Sequence, residues 1–383
     1  MGKLVGLPVA VTVIQAPARD ITFEQLMALR VISLDFDFAD VQALVARVRE
    51  IHQTRRIDAV LAMTEAALHP ASLAAQAVGA RSNPSDAVAA TIDKSAMRTL
   101  LTEKGLDATA YQVCEEPAEL ARFAARCPSG TIVKPLDGAG SAGIALVRHS
   151  SEISAAWDWC AAAAAGGPVL AEEYLTGREF SAETMTAAGE HRLLAVTAKH
   201  TTGPPHFIET GHDLPAPLTD QETDAVRLAV FSALDAVGHT WGPGHTEVIM
   251  DGGRLSIVEI NTRVGGDCIW EMVELATGID LVAASVGALA FADLPSASGG
   301  RNGAASVRFL TPPAGCVRSV SGIDSALSVP GVIRIGDLPG EGQVIQPLVS
   351  SLQRAGYVLA TGRDVESCAR SADQAAGRIV IRT

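Results

Sequence analysis

Short apolar runs alternate with helically spaced segments along the first 85 residues. Val9–Ile14 and Val31–Leu34 read as strands, and Ile57–Met63 is a further buried-strand candidate. Between them, Asp40–His52 carries Val41, Leu44, Val45 and Val48 on one helical face. Such alternation predicts a parallel sheet covered by helices. Asn83-Pro84-Ser85 is a turn signal. Asp93 then predicts a capped helix running to Lys104, with Gly105 as its stop. Residues 106–185 alternate strand and helix, and residues 192–262 read as strand pairs around one helix, Thr219–Val237. A helical stretch covers Asp267–Phe291, and Leu294–Ala305, rich in Pro, Ser, Gly and Ala, reads as a linker. The tail mixes strands (Val307–Leu310, Val332–Ile335, Arg378–Ile381) with a helix at Val365–Ala376. No repeat of fixed period is present. The fold class is therefore α/β with α+β elements, with an N-terminal unit at 1–85 and a tail at 306–383 beyond the linker.

Composition narrows the function classes. With 30 basic and 43 acidic residues the formal charge is −13, which repels nucleic acid and anionic membrane. Neither is an expected partner. The six cysteines form no C-x-x-C pair, so zinc and dithiol redox chemistry lack their signature and a reducing, cytoplasmic compartment is expected. The N-terminal segment lacks the h-region and cleavage site of a signal peptide. No apolar run reaches the roughly 18 residues of a membrane span. No G-x-G-x-x-G follows the early strands, so a dinucleotide site has no support.

Five segments carry candidate chemistry. The first, Ile132–Ile144, is a strand ending in Lys134, a loop containing Gly138, Gly140, Ser141 and Gly143, and a returning strand (Ile144–Val147). Its backbone N–H groups can approach an anion closely, although a plain hairpin loop has the same composition. The second, Val169–Ser181, ends an apolar run in Glu172 and Glu173, followed by Leu175 and Glu179. Carboxylates there could hold ribose hydroxyls, or simply be solvated strand ends. The third, His245–Arg263, is a hairpin closed by Asp251-Gly252-Gly253. Glu259 and Asn261 share one face. A three-residue loop would put Glu247 on that face, diagonal to Glu259 at roughly 7–8 Å between Cα atoms, whereas a two-residue loop would put it on the other. Two carboxylates and an amide are hard oxygen ligands suited to Mg²⁺, with an acidic solvated face as the alternative. The fourth, Lys199–His212, reads as a Pro/Gly loop ending in Glu209 and His212. The fifth, Asp93–Leu101, is a helix start carrying Lys94, ordinarily a surface lysine.

Together, in this order, the segments resemble the ATP-grasp superfamily over roughly residues 85–290. Within it they look most like carboxylate–amine ligases of the L-amino acid ligase kind, through Gly203–His212 and the proline-bearing stretch after it. The tail resembles the small C-terminal domain of those enzymes at Val317–Gly322 and Gly356–Gly362. The resemblance implies an ATP-grasp fold: an N-terminal domain (1–85), nucleotide subdomains (86–190), a catalytic and metal-binding subdomain (191–294) and a C-terminal α+β domain (306–383). It implies that Lys94 and Lys134 contact ATP phosphates under the Gly138–Gly143 loop, that Glu172 and Leu175 flank adenine, and that Glu179 holds the ribose. Lys199 would be a further phosphate-side lysine. Glu247, Glu259 and Asn261 would bind Mg²⁺, with Mn²⁺ as a substitute. Arg263 would stabilise the transferred phosphoryl group, and Glu209 and His212 would line the substrate pocket. The implied reaction activates a carboxylate as an acylphosphate and passes it to an amine, releasing ADP and phosphate; a phosphotransferase or carboxylase of the same fold is the alternative. The implied partners are a small-molecule carboxylate and amine, and the common assembly is a homodimer. One departure is visible: the first strand runs into QAPARDITFEQ, so the N-terminal unit looks shortened. Asp267, four residues after Arg263, is expected near the substrate, either pairing with a ligand cation or capping the next helix.

Overall fold

The computed structural model describes residues 3, 7–14, 30–33, 37–138, 140–296 and 303–383. Segment 15–25, on which the shortened N-terminal unit was read, lies outside the described residues, as do Leu34 and Ala139. Two strands, Thr12–Ile14 (β1) and Arg30–Ser33 (β2), pair in parallel as expected. Ile57–Met63 forms no strand; its one sheet contact is a parallel bridge between Ala59 and Arg81. The helices Val41–Thr54 and Leu68–Val78 pack through Leu44, Val48 and Ala74.

The chain then builds two antiparallel sheets. Tyr111–Cys114 (β3), Thr131–Pro135 (β4), Ala145–Val147 (β5) and Val169–Glu173 (β6) form a four-stranded sheet in the order β3-β6-β4-β5. Leu120, Phe123, Ala156 and Cys160, from the helices Pro117–Ala124 and Ile153–Ala163, cover Val133 and Val169 on one face. Arg178–Ala187 (β7), Glu190–Thr201 (β8), Glu209–Leu214 (β9), Gly242–Asp251 (β10), Arg254–Asn261 (β11) and Ala304–Phe309 (β12) enter an eight-stranded sheet. The tail adds Gly315–Cys316 (β13), Ser319–Ser321 (β14), Val332–Gly336 (β15), Val344–Ile345 (β16), Tyr357–Gly362 (β17) and Val380–Arg382 (β18). The large sheet runs β11-β10-β7-β8-β9-β12-β17-β15.

The helix Asp220–Val237 lies under this sheet. Its Val226, Val230 and Leu234 meet Phe180, Val248 and Ile260, and Met97 and Leu101 of the helix Lys94–Glu103 join them. Each such side chain, fully buried, contributes about 1.5–3 kcal/mol.

Three expected boundaries shift. The division at residue 190 falls at the turn between β7 and β8, which pair along their length, so it cuts one sheet rather than separating two domains. The chain passes from the four-stranded sheet to the eight-stranded one through the hinge segment 174–177, between β6 and β7. The linker read at Leu294–Ala305 ends sooner, since Ala304 already pairs with Gly362. Through β12, β17 and β15 the C-terminal segment continues the central sheet. The helical stretch Asp267–Phe291 is two helices, Ile269–Thr277 and Leu281–Phe291, bent by 89° at a break where Gly278 is left-handed. No single helix among the described residues is long and apolar enough to cross a membrane.

Candidate active site

The β10–β11 hairpin shows how local backbone geometry places the acidic groups. Asp251 pairs with Arg254, so the turn has two residues, not three. By strict alternation that would turn Glu247 away from Glu259. A β-bulge restores it: the register runs Val248 opposite Ile257 and then Glu247 opposite Glu259, with Val258 as the extra residue. Glu247, Glu259 and Asn261 therefore share one face, and the two glutamates face each other directly rather than diagonally.

Lysines reach this face from two elements, the helix Lys94–Glu103 and β8. Asp93 caps the helix Lys94–Glu103, accepting from the N–H groups of Ser95 and Ala96. The backbone N–H of Lys94 donates to Leu136 O at 3.0 Å, which ties the helix start to the glycine-rich loop. Its Nζ donates to Gly138 O at 2.9 Å and lies 3.3 Å from Glu259. Lys199 Nζ sits 2.6 Å from Glu247, 2.7 Å from Glu179 and 3.7 Å from Glu209. Burial alone would lower the Lys199 pKa, but the three carboxylates outweigh it and hold the group well above its ordinary value. Burial likewise opposes ionisation of Glu247, yet Lys199 and His245 hold it well below the usual carboxylate range. Glu179, desolvated and next to the other two carboxylates, is pushed up. Lys199, Glu209 and His212 do not lie on a loop as expected. Lys199 lies two residues before the end of β8 and pairs with His212 on β9, and the connecting loop is confined to residues 202–208. The Pro/Gly content is concentrated in those few residues.

Lys134 and Glu172 form a separate, buried unit. Glu172 accepts from Lys134 at 2.7 Å and from Arg98 at 2.5 Å, and Arg98 also pairs with Asp107 at 3.1 Å. Burial would raise the Glu172 pKa; Arg98 and Lys134 overcome it and bring it to about 2. The Glu172 side chain thus braces Lys134 and Arg98. Leu175 lines a groove of about 710 Å³ along the hinge, together with Glu173, Tyr174, Ile249 and Arg254.

The glycine-rich loop is pinned from two sides. Ser141 Oγ bonds Glu209 and the carbonyl of Phe207, and His206 and Trp159 both reach Ile144 O. Gly143, at φ +75°, sits where a Cβ would lie 2.5 Å from that of Ala163. From the C-terminal segment, Ser351 donates its N–H to Gly140 O at 2.9 Å and its hydroxyl to Glu209. Arg354 stacks 3.6 Å over the Phe309 ring and grips Asp267 through two nitrogens, at 2.5 and 2.8 Å. His212 Nε2 is 3.3 Å from the same carboxylate. Asp267, at φ +52°, caps nothing: Cys268 is the N-cap of the following helix. The capping role expected for Asp267 therefore does not hold, and its charge is answered by Arg354. Arg263 bonds Glu65 of the N-terminal domain at 2.6 Å.

Arg98, Asp107, Ser351, Arg354 and the pair Glu183–His245 went unnoticed in the sequence. His245 Nδ1 is 2.7 Å from Glu183, and Nε2 is 3.4 Å from Glu247. Against its own burial, Glu183 raises the His245 pKa to about 10, so it is an imidazolium. Its period-two spacing from Glu247 was the one available signal.

The donor set fits a hard cation. Glu247, Glu259 and Asn261 present oxygen, and lysines now neutralise the two carboxylates. Among the described residues no group of three or more His, Cys, Asp and Glu could hold a metal alone. A cation here would complete its shell with nucleotide phosphates and water, as Mg²⁺ commonly does.

These features are those of an ATP-grasp domain: two sheets joined through residues 174–177, with lysines and paired glutamates between them under a glycine-rich loop. The ATP-grasp domain family matches residues 127–271, and the L-amino acid ligase C-terminal domain 2 matches residues 308–383. The chain thus carries an ATP-grasp domain and a C-terminal domain of the L-amino acid ligase type, and it resembles ligases of that kind. The crystal structure of an L-amino acid ligase from Bacillus licheniformis superposes with a TM-score of 0.79 at 22% identity, covering 92% of this chain and 88% of that one. An uncharacterized protein of Sinorhizobium fredii is 28% identical over 70% of this chain. A D-alanine–D-alanine ligase of Aromatoleum aromaticum is 27% identical over 51% of it. The chain spans 56% and 65% of the lengths of these two relatives.

Proposed function

We propose that the protein is an ATP-dependent, ADP-forming ligase that activates the carboxylate of one amino acid and joins it to the amine of another. The observation that carries this reading is the convergence on Lys199. One buried lysine is shared by Glu179, Glu247 and Glu209, which come from three different strands, beneath a loop pinned by the C-terminal segment. An L-amino acid ligase type of C-terminal domain meeting the active cleft supports amino acid substrates.

A carboxylate is a poor acyl donor because oxide would have to leave. Transfer of the ATP γ-phosphoryl group makes phosphate the leaving group, and the protein then mainly aligns groups and neutralises charge. Lys94, Lys134 and Lys199 supply positive charge along the cleft. When bound between Glu247, Glu259 and Asn261, Mg²⁺ would offset phosphate charge. Glu209 would orient the loop through Ser141 and the tail through Ser351. Arg263, fixed by Glu65, would face the transferred group. Closing the loop would keep the acylphosphate from water until the amine attacks its carbonyl carbon and phosphate departs.

The test is phosphate release from ATP with Mg²⁺, scanned over amino acids singly and in pairs, with product masses recorded. Release that requires a pair, with a product mass equal to the sum less water, supports the reading and names the substrates. Release with no pair of amino acids refutes it.

A further inference from the structure

We infer that the buried pair Glu183–His245 is a positioning device for Glu247, and through it sets how tightly the cleft holds a nucleotide-bound divalent cation. The inference rests on the reading of Glu247 as a metal-facing carboxylate. Three observations carry it. Glu183 and His245 stand opposite each other on β7 and β10, both nearly fully buried, joined at 2.7 Å. The other imidazole nitrogen is aimed at Glu247 Oε1, the same oxygen that Lys199 holds at 2.6 Å. Glu247 is thereby approached from two directions, and its carboxylate cannot rotate without losing one of them. Third, Gly265 closes over the pair. A Cβ there would lie 2.9 Å from His245 Nδ1 and 3.0 Å from Glu183 Oε2. That Oε2 is buried with no hydrogen-bond partner. A carboxylate is costly to bury half-satisfied. A purely structural pair at this position could be replaced by apolar side chains, whereas a carboxylate–histidine–carboxylate chain fixes the orientation of the carboxylate at its end.

Removing such an outer partner typically weakens metal binding about 10–100-fold. The experiment uses the full chain with His245→Gln, Glu183→Gln and, separately, Gly265→Ala. Mn²⁺ binding in the presence of ADP is followed by electron paramagnetic resonance, ADP binding in EDTA by calorimetry, and folding by urea denaturation. The expected result is Mn²⁺ affinity weakened about 10-fold or more with metal-free ADP affinity unchanged. Gly265→Ala removes no polar group and displaces the pair by contact alone, so it should act in the same direction. Equal weakening of Mn²⁺ and metal-free ADP binding, or Mn²⁺ binding unchanged in variants that fold, overturns the inference. If the unaltered protein binds ADP but no Mn²⁺, it is the metal-facing reading of Glu247 that fails, and the inference falls with it.

Discussion

Replacing Glu172 by Gln separates two roles that the same residue could have. If its side chain flanked the nucleotide, the variant would lose ADP affinity and keep its stability. The structure places it instead between Arg98 and Lys134, only 4% exposed. Its carboxyl pKa falls from 4.5 to about 2. At about 1.4 kcal/mol per unit, that is roughly 3 kcal/mol of stability at neutral pH. An independent figure, the cost of breaking one side of a buried ion pair, is about 3–5 kcal/mol. The sign is that of a depressed acid: the contribution is complete above the unfolded pKa and is lost as pH falls toward about 2. Urea unfolding of parent and variant, followed by the fluorescence of Trp157 and Trp159 on the adjoining helix, should therefore differ by about 3 kcal/mol at pH 7. The gap should be constant down to about pH 4.5 and narrow below it. A variant within about 0.5 kcal/mol of the parent at pH 7, the range of a surface substitution, would refute the argument.

Lys199→Met should cut phosphate release by at least about 100-fold, because three carboxylates lose their common cation; a rate close to the parent's, in the coupled phosphate assay, would contradict this. Gly143→Ala forces a Cβ to 2.5 Å from Ala163 at φ +75° and should cost about 1–3 kcal/mol of stability, read from the urea midpoint. His239 is buried and its pKa is lowered by that burial to about 4. The folded state therefore disfavours the proton, and stability should fall by about 3 kcal/mol between roughly pH 6.5 and pH 4; His239→Gln should flatten that slope in urea titrations across the window.

Capped and periodic elements were legible because their causes are local. Asp93, Lys94–Glu103 and Gly105 follow one another in the chain, and the helix forms where its cap and stop predict it. Val365–Ala376 likewise matches its residues, with Asp364 accepting from Ser367. The common face of Glu247, Glu259 and Asn261 was one of two open readings. It holds for a different reason than a three-residue loop, since a bulge at Val258 compensates a two-residue turn. A bulge is set by the partner strand, so periodicity within β11 alone could not reveal it.

The sequence by itself picked out the short segments around Lys94, Lys199, Glu209, Glu247 and Glu259 that the structure brings together, because each is a local run of distinctive composition. The tertiary structure alone decided the pairings among them. Arg98 meets Glu172 across 74 positions, and Arg354 meets Asp267 across 87. Those choices assign Glu172 to a buried brace, remove Asp267 from any cap, and bring the tail onto the glycine-rich loop. The physical reason is desolvation. A buried charge is tolerated only where a counter-charge arrives, and which side chain arrives is settled when the two sheets and the tail pack together.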